Sequence, residues 1–375
     1  MRIPKYLIAL TLLLAAAAPA RSEGFKDWAM DLLHRFNKPK TDIDTTLFFQ
    51  MKPRWFVSAT GIGRQLGVEQ VNRFTVGGTP SVLTLGLNER LYTGTGVNVG
   101  YGAVSLGFST EVGRKSAQKN RLLGYSYFRD RFGADIQYCH IRQPLSCVMT
   151  LGSEGDADFS EYRTVSSHPG EMRVILADLF YALNRNSFSF QAAYRPGKVQ
   201  KRTAGSWLLG AKYLQGETRL DPQDPFAVSM DHLSRHRTGQ LSFGGGYSLN
   251  LVLFHRLRNQ EEKTLRNLTL NVTALPMLTY YNKLTFHRTV FKASGQPDGD
   301  ALLSKTFSPP RINYMTRMGL CYIHGRFYAT LTGEYDSFVM KGTARMGKVS
   351  SRVGDVRMEA LFHKWTTTFC LNYRF

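Results

Sequence analysis

Nine histidines, four cysteines and a scatter of acidic and basic residues on otherwise apolar segments are the side chains of this sequence that could carry chemistry. A serine hydrolase needs a Ser within hydrogen-bond reach of a His that a carboxylate or amide holds in place. His140 is in phase with Ile136 and Tyr138, which aims it at lipid or a rim, and His255, His287, His324 and His363 fall at strand ends or turns. No His shares a polar strand face with both a Ser and an acid on a neighbouring strand, so the reading is that the protein is not an enzyme. Asp231-His232 with His236 is a metal pair only on a helix, where i and i+4 share a face; its Ser/Arg-rich setting reads as a solvated connection. Gly244-Gly245-Gly246 has no following Lys-Ser/Thr and no strand–helix context, so it fits a bend in a barrel wall rather than a phosphate cradle. There is no Cys-x-x-Cys pair to support a zinc site. Neither a metal nor a cofactor is expected.

The elements that must position such residues are strands. Leu268, Leu270, Val272 and Ala274 alternate with Asn267, Thr269, Asn271 and Thr273, and Trp207, Leu209, Ala211 and Tyr213 alternate with Ser206, Leu208, Gly210 and Lys212. Phe327, Ala329, Leu331 and Tyr335, and Phe188, Phe190, Ala192 and Tyr194, repeat the pattern. Segments of about ten residues with period two have the length of a tilted membrane-spanning strand. The spacing predicts strands over 54–61, 81–90, 103–112, 121–129, 132–141, 172–183, 187–195, 204–214, 239–253, 265–279, 312–323, 326–336, 354–362 and 365–375, of which twelve or fourteen would close a barrel. A soluble sandwich also alternates. Aromatic residues near strand ends (Tyr194, Tyr213, Tyr335, Tyr373) and abundant strand glycine favour a membrane barrel. The ending Phe369, Leu371, Tyr373, Phe375 is an amphipathic strand that reads as a signal for outer-membrane assembly machinery.

Arg2 and Lys5, then an apolar stretch from Tyr6 to Ala18, then Ala18-Pro19-Ala20, have the order of a secretory signal peptide cleaved after Ala20, with Ser22 as the alternative. No later run of about 18 apolar residues exists, which excludes a helical membrane protein. Residues 24–37 place Trp28, Leu32, Leu33 and Phe36 at helical spacing. The expected division is a signal peptide over 1–20, a periplasmic segment with a short amphipathic helix over 21–45, and a barrel over 46–375. Export permits disulfides, so Cys139 and Cys147 could pair, while Cys321 and Cys370 read as buried thiols. Lys+Arg 48 against Asp+Glu 28 gives a net charge of +20. In an exported barrel that excess points to lipopolysaccharide phosphates and other anionic headgroups rather than to nucleic acid.

Residues 177–213 carry a more specific pattern: Asp178, Phe180 and Tyr181, then Asn184 in a turn, Phe188 and Ser189, then Gln200, Lys201, Ala204, Gly205 and Ser206. With the closing Tyr373-Arg374-Phe375, this resembles the Bacteroidota family of outer-membrane barrels known as domain of unknown function 4421. Thr203 departs mildly from the Ser found there in that family. The resemblance implies a barrel in the outer membrane and no particular activity.

Together these readings give an all-β, up-and-down transmembrane barrel of about 12–14 strands behind a short N-terminal helix, in the cell outer membrane. Its partners are outer-membrane lipids, lipopolysaccharide and the barrel assembly machinery. Its role is structural or interactive around a side-chain-filled lumen; a narrow, anion-preferring pore and a lipid-modifying hydrolase are the alternatives. Leu179, Tyr181, Phe188, Phe190, Trp207 and Leu209 are expected to face lipid, and Asp178, Gln191, Ser206 and Lys212 the lumen. Asp178 is expected to bond Lys212, Lys201 or Arg195; two strands separate it from Lys212, so long side chains or water must reach across roughly 10 Å.

Overall fold

A strand that is apolar on one side only must set that side against a non-aqueous neighbour, and a sheet with many such strands removes its edges by closing. The computed structural model describes residues 44–375 except 77–78, 89–91, 114–119, 144–145, 152–159, 166–169, 185, 196, 224–231, 259–260, 293, 308–309 and 345–355, with Asp31 alone before them. The expected leader and the helix over 24–37 lie outside the described residues, Asp31 apart.

Twelve antiparallel strands form a closed barrel: β2 (Trp55–Val76), β4 (Tyr92–Tyr101), β5 (Val104–Glu111), β6 (Arg121–Phe128), β7 (Phe132–Gln143), β10 (Gly170–Ala182), β12 (Ala204–Arg219), β13 (Leu233–Arg256), β14 (Arg266–Phe291), β16 (Arg311–His324), β17 (Phe327–Ala344) and β18 (Val356–Arg374). β18 closes on β2 in register from Arg374↔Phe56 to Arg357↔Arg73. β3 (Thr79–Asn88), β8 (Ser146–Leu151) and β9 (Ser160–Val165) extend the far half of β2, and β15 (Pro297–Phe307) extends the far half of β14. β1 (Phe48–Gln50) and β11 (Lys198–Gln200) pair separately. At the end where β2 begins and β18 finishes, two connections are two-residue turns, and each uses a glycine at positive φ: Gly102 (φ 57) and Gly325 (φ 60).

Side chains sort as the pleat demands. Trp207, Leu209, Tyr213, Val272, Leu278, Leu331 and Tyr335 are exposed on the outer wall, while Ser206, Lys212, Asn267, Thr269, Asn271 and Thr273 are buried inside. Aromatics ring the outside at both ends of this apolar band. Trp207 packs edge-on to Tyr247 and Phe327 tilts against Tyr373 near the terminal end, while Tyr138, Tyr213, Tyr281 and Tyr335 stand toward the far end. Inside, β10 displays three layers in order. Ala182 and Phe180 belong to an aromatic cluster at the terminal end, Asp178 follows, and Leu176, Val174 and Met172 belong to an aliphatic cluster toward the far end. The lumen is packed with side chains.

Four expectations are corrected. Residues 187–195 are not a wall strand: the segment between β10 and β12 turns into the lumen, where a four-residue helix, α1 (Gln191–Tyr194), precedes β11. Phe188 and Phe190 therefore face the interior, not lipid. Their alternation misleads because both faces are covered: Ser189, Gln191 and Ala193 are as buried as Phe188, Phe190 and Ala192. Spans 354–362 and 365–375 are one strand, β18, and 81–90 is an extension outside the closed ring. β4 escapes the pattern because Gly94, Gly96 and Gly100 on its inner face and Thr93 and Thr95 on its outer face give little apolar contrast. Cys139 is buried and not disulfide-bonded; its Sγ accepts a hydrogen bond from Arg64 Nη1 at 3.0 Å.

Candidate functional site

The middle layer of the lumen is built from charges. Asp178 on β10 stands directly opposite Lys212 on β12, with no strand between them, and the ammonium lies 2.9 Å from Oδ1. Lys212 Nζ also reaches Asp336 Oδ1 at 2.6 Å. Lys364 Nζ then joins Asp336 Oδ2 at 3.1 Å and Glu334 Oε1 at 2.6 Å. Glu334 Oε2 lies 3.7 Å from Arg317 Nη2, which donates to Asp135 Oδ2. Asp135 is the cross-strand neighbour of Asp178, so the chain of contacts returns to where it began. Six strands supply seven buried charges that alternate in sign from Asp178 round to Asp135, where two acids are cross-strand neighbours. Such proximity in a dry interior is tolerated only because each carboxylate has a cation against it.

Arg317 is also enclosed by rings. Its guanidinium carbon lies 4.9 Å from the Tyr194 centroid, 5.3 Å from that of Phe128 and 5.9 Å from that of Phe180. Tyr194 comes from α1, stacks on Phe128 at 5.3 Å and donates its hydroxyl to Asn271 Oδ1 at 2.5 Å. The inward segment thus seats itself on the charged layer from the terminal end.

Of the remaining residues singled out by sequence, some lie on the outer wall or at the mouth, and several hold that segment. Asn184 makes the turn that starts it: its Nδ2 donates to Ser187 Oγ at 2.6 Å and to Gly205 O at 3.1 Å, and its N–H donates to Ser206 Oγ at 2.9 Å. Gly205 lies under the Tyr247 ring, where a Cβ would come within 2.2 Å of the phenolic oxygen. Gln200 accepts from Asn250 Nδ2 at 2.8 Å, and its carbonyl accepts from Asn267 at 3.2 Å. Lys201 donates to Thr45 O at 2.7 Å, tying down the residues before β1. Gln191 is buried within α1. Tyr181 lies on the outer wall and accepts from Arg131 Nη1 at 3.1 Å. Phe369, Leu371, Tyr373 and Phe375 project from the outside of β18.

Of the three partners offered for Asp178, only Lys212 reaches it. Lys201 is at the mouth, and Arg195 lies over the Phe56 ring at 5.2 Å. Sequence reasoning missed Asp135, Arg317, Glu334, Asp336 and Lys364. Their signal was present: each is a charge on the inward phase of a strand with an apolar outer face.

Histidine chemistry is differently placed. His140 Nε2 meets Glu171 Oε1 at 2.8 Å on the outer wall. His236 lies in β13 and stacks on Phe286 at 4.7 Å, so the pair with His232 is not helical. Ser234 donates to Asp300 Oδ1 at 3.0 Å and to the backbone carbonyl of His287, not to an imidazole. Among the described residues no three His, Cys, Asp or Glu side chains converge to hold a metal.

A family model described as a domain of unknown function, DUF4421, matches residues 62–363. The chain belongs to that family. Among solved structures, the outer membrane protease OmpT from Escherichia coli is similar over 86% of this chain and 97% of its own, at 10% identity and a TM-score of 0.30. No curated protein matches the chain. Of the residues that carry the resemblance over 178–206, Asn184, Gln200 and Ser206 hold the inward segment, while Asp178 joins the charged layer and Tyr181 lies on the outer wall.

Proposed function

We propose that this member of the family is an integral outer-membrane barrel with a closed lumen, acting as a structural or interaction protein rather than as an open pore. The observation that carries this reading is the filling of the lumen from three sides. The segment 183–203 closes one end, the charged layer bridges the middle, and the aliphatic cluster around Leu176, Phe338 and Tyr92 packs the remainder. A porin keeps its interior wet and open; here Lys212, Lys364 and Asp336 are almost wholly buried.

The apolar outer band with aromatic borders supports insertion in a bilayer, and the leader over 1–20 supports export with cleavage near Ala20. Apart from the inward segment between β10 and β12, the connections at the terminal end are shorter than most of those at the far end, which fits a periplasmic and an extracellular side respectively. The outer face of β18, with Phe369, Leu371, Tyr373 and Phe375, is the part offered to the assembly machinery. Just beyond the far aromatic row the outer wall turns basic, with Arg121 on β6, Arg173 on β10, Arg219 on β12 and Arg237 on β13, which suits lipopolysaccharide phosphates.

Single-channel recording of the purified barrel in planar bilayers tests the closed lumen. The expected result is silence at moderate voltage from protein that is heat-modifiable and folded. Steady conductance would favour the anion-preferring pore. One feature lends that second reading support: a cavity of about 150 Å³ lies within the lumen and is bordered by Arg195 and Arg317.

A further inference from the structure

That cavity lies between the wall of β2 and β4–β7 on one side and β16–β18 on the other, above Tyr194 and Arg195. Its lining is rich in hydroxyls and amides, among them Thr60, Asn98, Ser126 and Thr366. Two acids border it, and both are already engaged. Asp135 accepts from Ser126 and Arg317, and Glu334 is held by Lys364 and Arg317.

The Arg317 guanidinium is only partly engaged, and that of Arg195 meets no described carboxylate. Arg317 is 8% exposed and uses Nη2 on the acids, while its Nε and Nη1 are buried without a hydrogen-bond partner. Arg195 is likewise 8% exposed; its guanidinium lies over the face of Phe56, and no described carboxylate lies within ion-pair distance of it. Thr366 Oγ1 and Asn98 Oδ1 are also buried without partners. A buried cation with no acid in contact costs several kcal/mol in an apolar interior. Both guanidiniums border the same space. Water can satisfy the N–H groups but brings no negative charge to Arg195.

We propose that the lumenal cavity is a binding site for one small oxyanion (phosphate, sulfate or a short carboxylate) held between Arg195 and Arg317, with the Thr366 hydroxyl as a further donor. A guanidinium presents paired N–H groups that match two oxygens of such an ion. The cavity of about 150 Å³ has room for several waters, or for a tetrahedral oxyanion with one or two waters beside it. Arg195 comes from the residue following α1, so the ion would rest on the inward segment and on the wall at once. Binding would fasten the segment in place. The inference does not depend on where the barrel resides or on its physiological role.

The test uses the full barrel refolded in detergent at constant ionic strength, with sodium sulfate, phosphate or acetate supplied before refolding and sodium chloride as the reference. Unfolding is followed by loss of heat-modifiable mobility. The expected result is a saturable rise in unfolding temperature with an oxyanion but not with chloride. Arg195→Gln should weaken the apparent affinity at least tenfold, while Arg219→Gln, on the outer wall, should leave it unchanged. If Arg195→Gln fails to refold, Thr366→Val provides the second variant, with a smaller loss expected. A wild-type curve indistinguishable from that in chloride would mean that the cavity holds water only, and would overturn the proposal. An equal response in wild type and Arg195→Gln would overturn it too, by placing the ion elsewhere.

Discussion

Removing the ammonium of Lys212 would leave Asp178 and Asp336 facing each other across a dry lumen, since that one group contacts both carboxylates. Breaking a buried pair from one side costs about 3–5 kcal/mol. Lys212→Met is therefore expected to lower the denaturant midpoint of the detergent-folded barrel by that order. Asp178→Asn should cost less, about 1–3 kcal/mol, because Lys212 keeps Asp336 and the amide still accepts a hydrogen bond. Equal, near-zero effects of both would show that water reaches the layer freely. The Asp178–Lys212 contact was legible in the sequence, because both residues occupy the inward phase of strands with apolar outer faces. Its directness was not. Reading 187–195 as a wall strand put an extra strand between them, whereas β10 and β12 are neighbours. Arg195, offered as a partner on charge alone, went elsewhere, because only tertiary placement says which of several cations reaches a buried acid.

At the scale of elements, period-two alternation identified most wall strands, because lipid on one side and a polar lumen on the other impose it. It failed where that contrast is absent: in β4, with glycine inside and threonine outside, and in the inward segment, buried on every side. That segment meets the wall at Gly319, where an added Cβ would lie 2.7 Å from the Tyr194 ring. Gly319→Leu is expected to push α1 off the charged layer. The variant should still assemble, but it should show conductance in planar bilayers and faster proteolysis between 183 and 203. Silence and unchanged protease resistance would show that the segment does not seal the barrel. On β18 the outward row ends at Phe375, which stacks on Tyr373 at 6.5 Å and donates its backbone N–H to Trp55 O at 3.1 Å. Phe375→Ser leaves that backbone bond possible and removes only the aromatic ring. If the outward row is what the assembly machinery reads, the yield of heat-modifiable barrel in outer membranes should fall several-fold while refolding in detergent stays at the wild-type level. A parallel fall in both would make the ring a matter of stability.

For the whole molecule, the net charge of +20 is distributed with a purpose that the lumen does not explain, since the seven charges of its central layer nearly cancel. Part of the basic surface lies on the outer wall beyond the far aromatic row. There Arg219 Nε and Arg237 Nε each donate to Glu217 at 2.7 Å, and Arg173 donates to Glu171 at 2.7 Å, while the three guanidiniums remain close to half exposed. Partial burial works to raise the Glu217 carboxyl, but its hydrogen bonds and charge contacts with Arg219 and Arg237 outweigh it and hold the group below the usual carboxylate range. A depressed carboxylate keeps its bridge intact from high pH down through the unfolded-state value near ~4.3, and loses it only as pH falls through the lower folded value. Glu217 therefore stays charged at neutral and mildly acidic pH and offsets part of the basic surface. If that surface grips lipopolysaccharide phosphates, Glu217→Gln should raise the amount of lipopolysaccharide retained by detergent-purified barrel at neutral pH. Arg219→Gln with Arg237→Gln should lower it several-fold, more at low salt than at high, because exposed charges are screened. Conductance and folded yield should stay at wild-type levels in both variants. Lipid retention that ignores all three substitutions would remove the outer wall of β10–β13 as the contact and leave its arginines as partners of Glu171 and Glu217 alone.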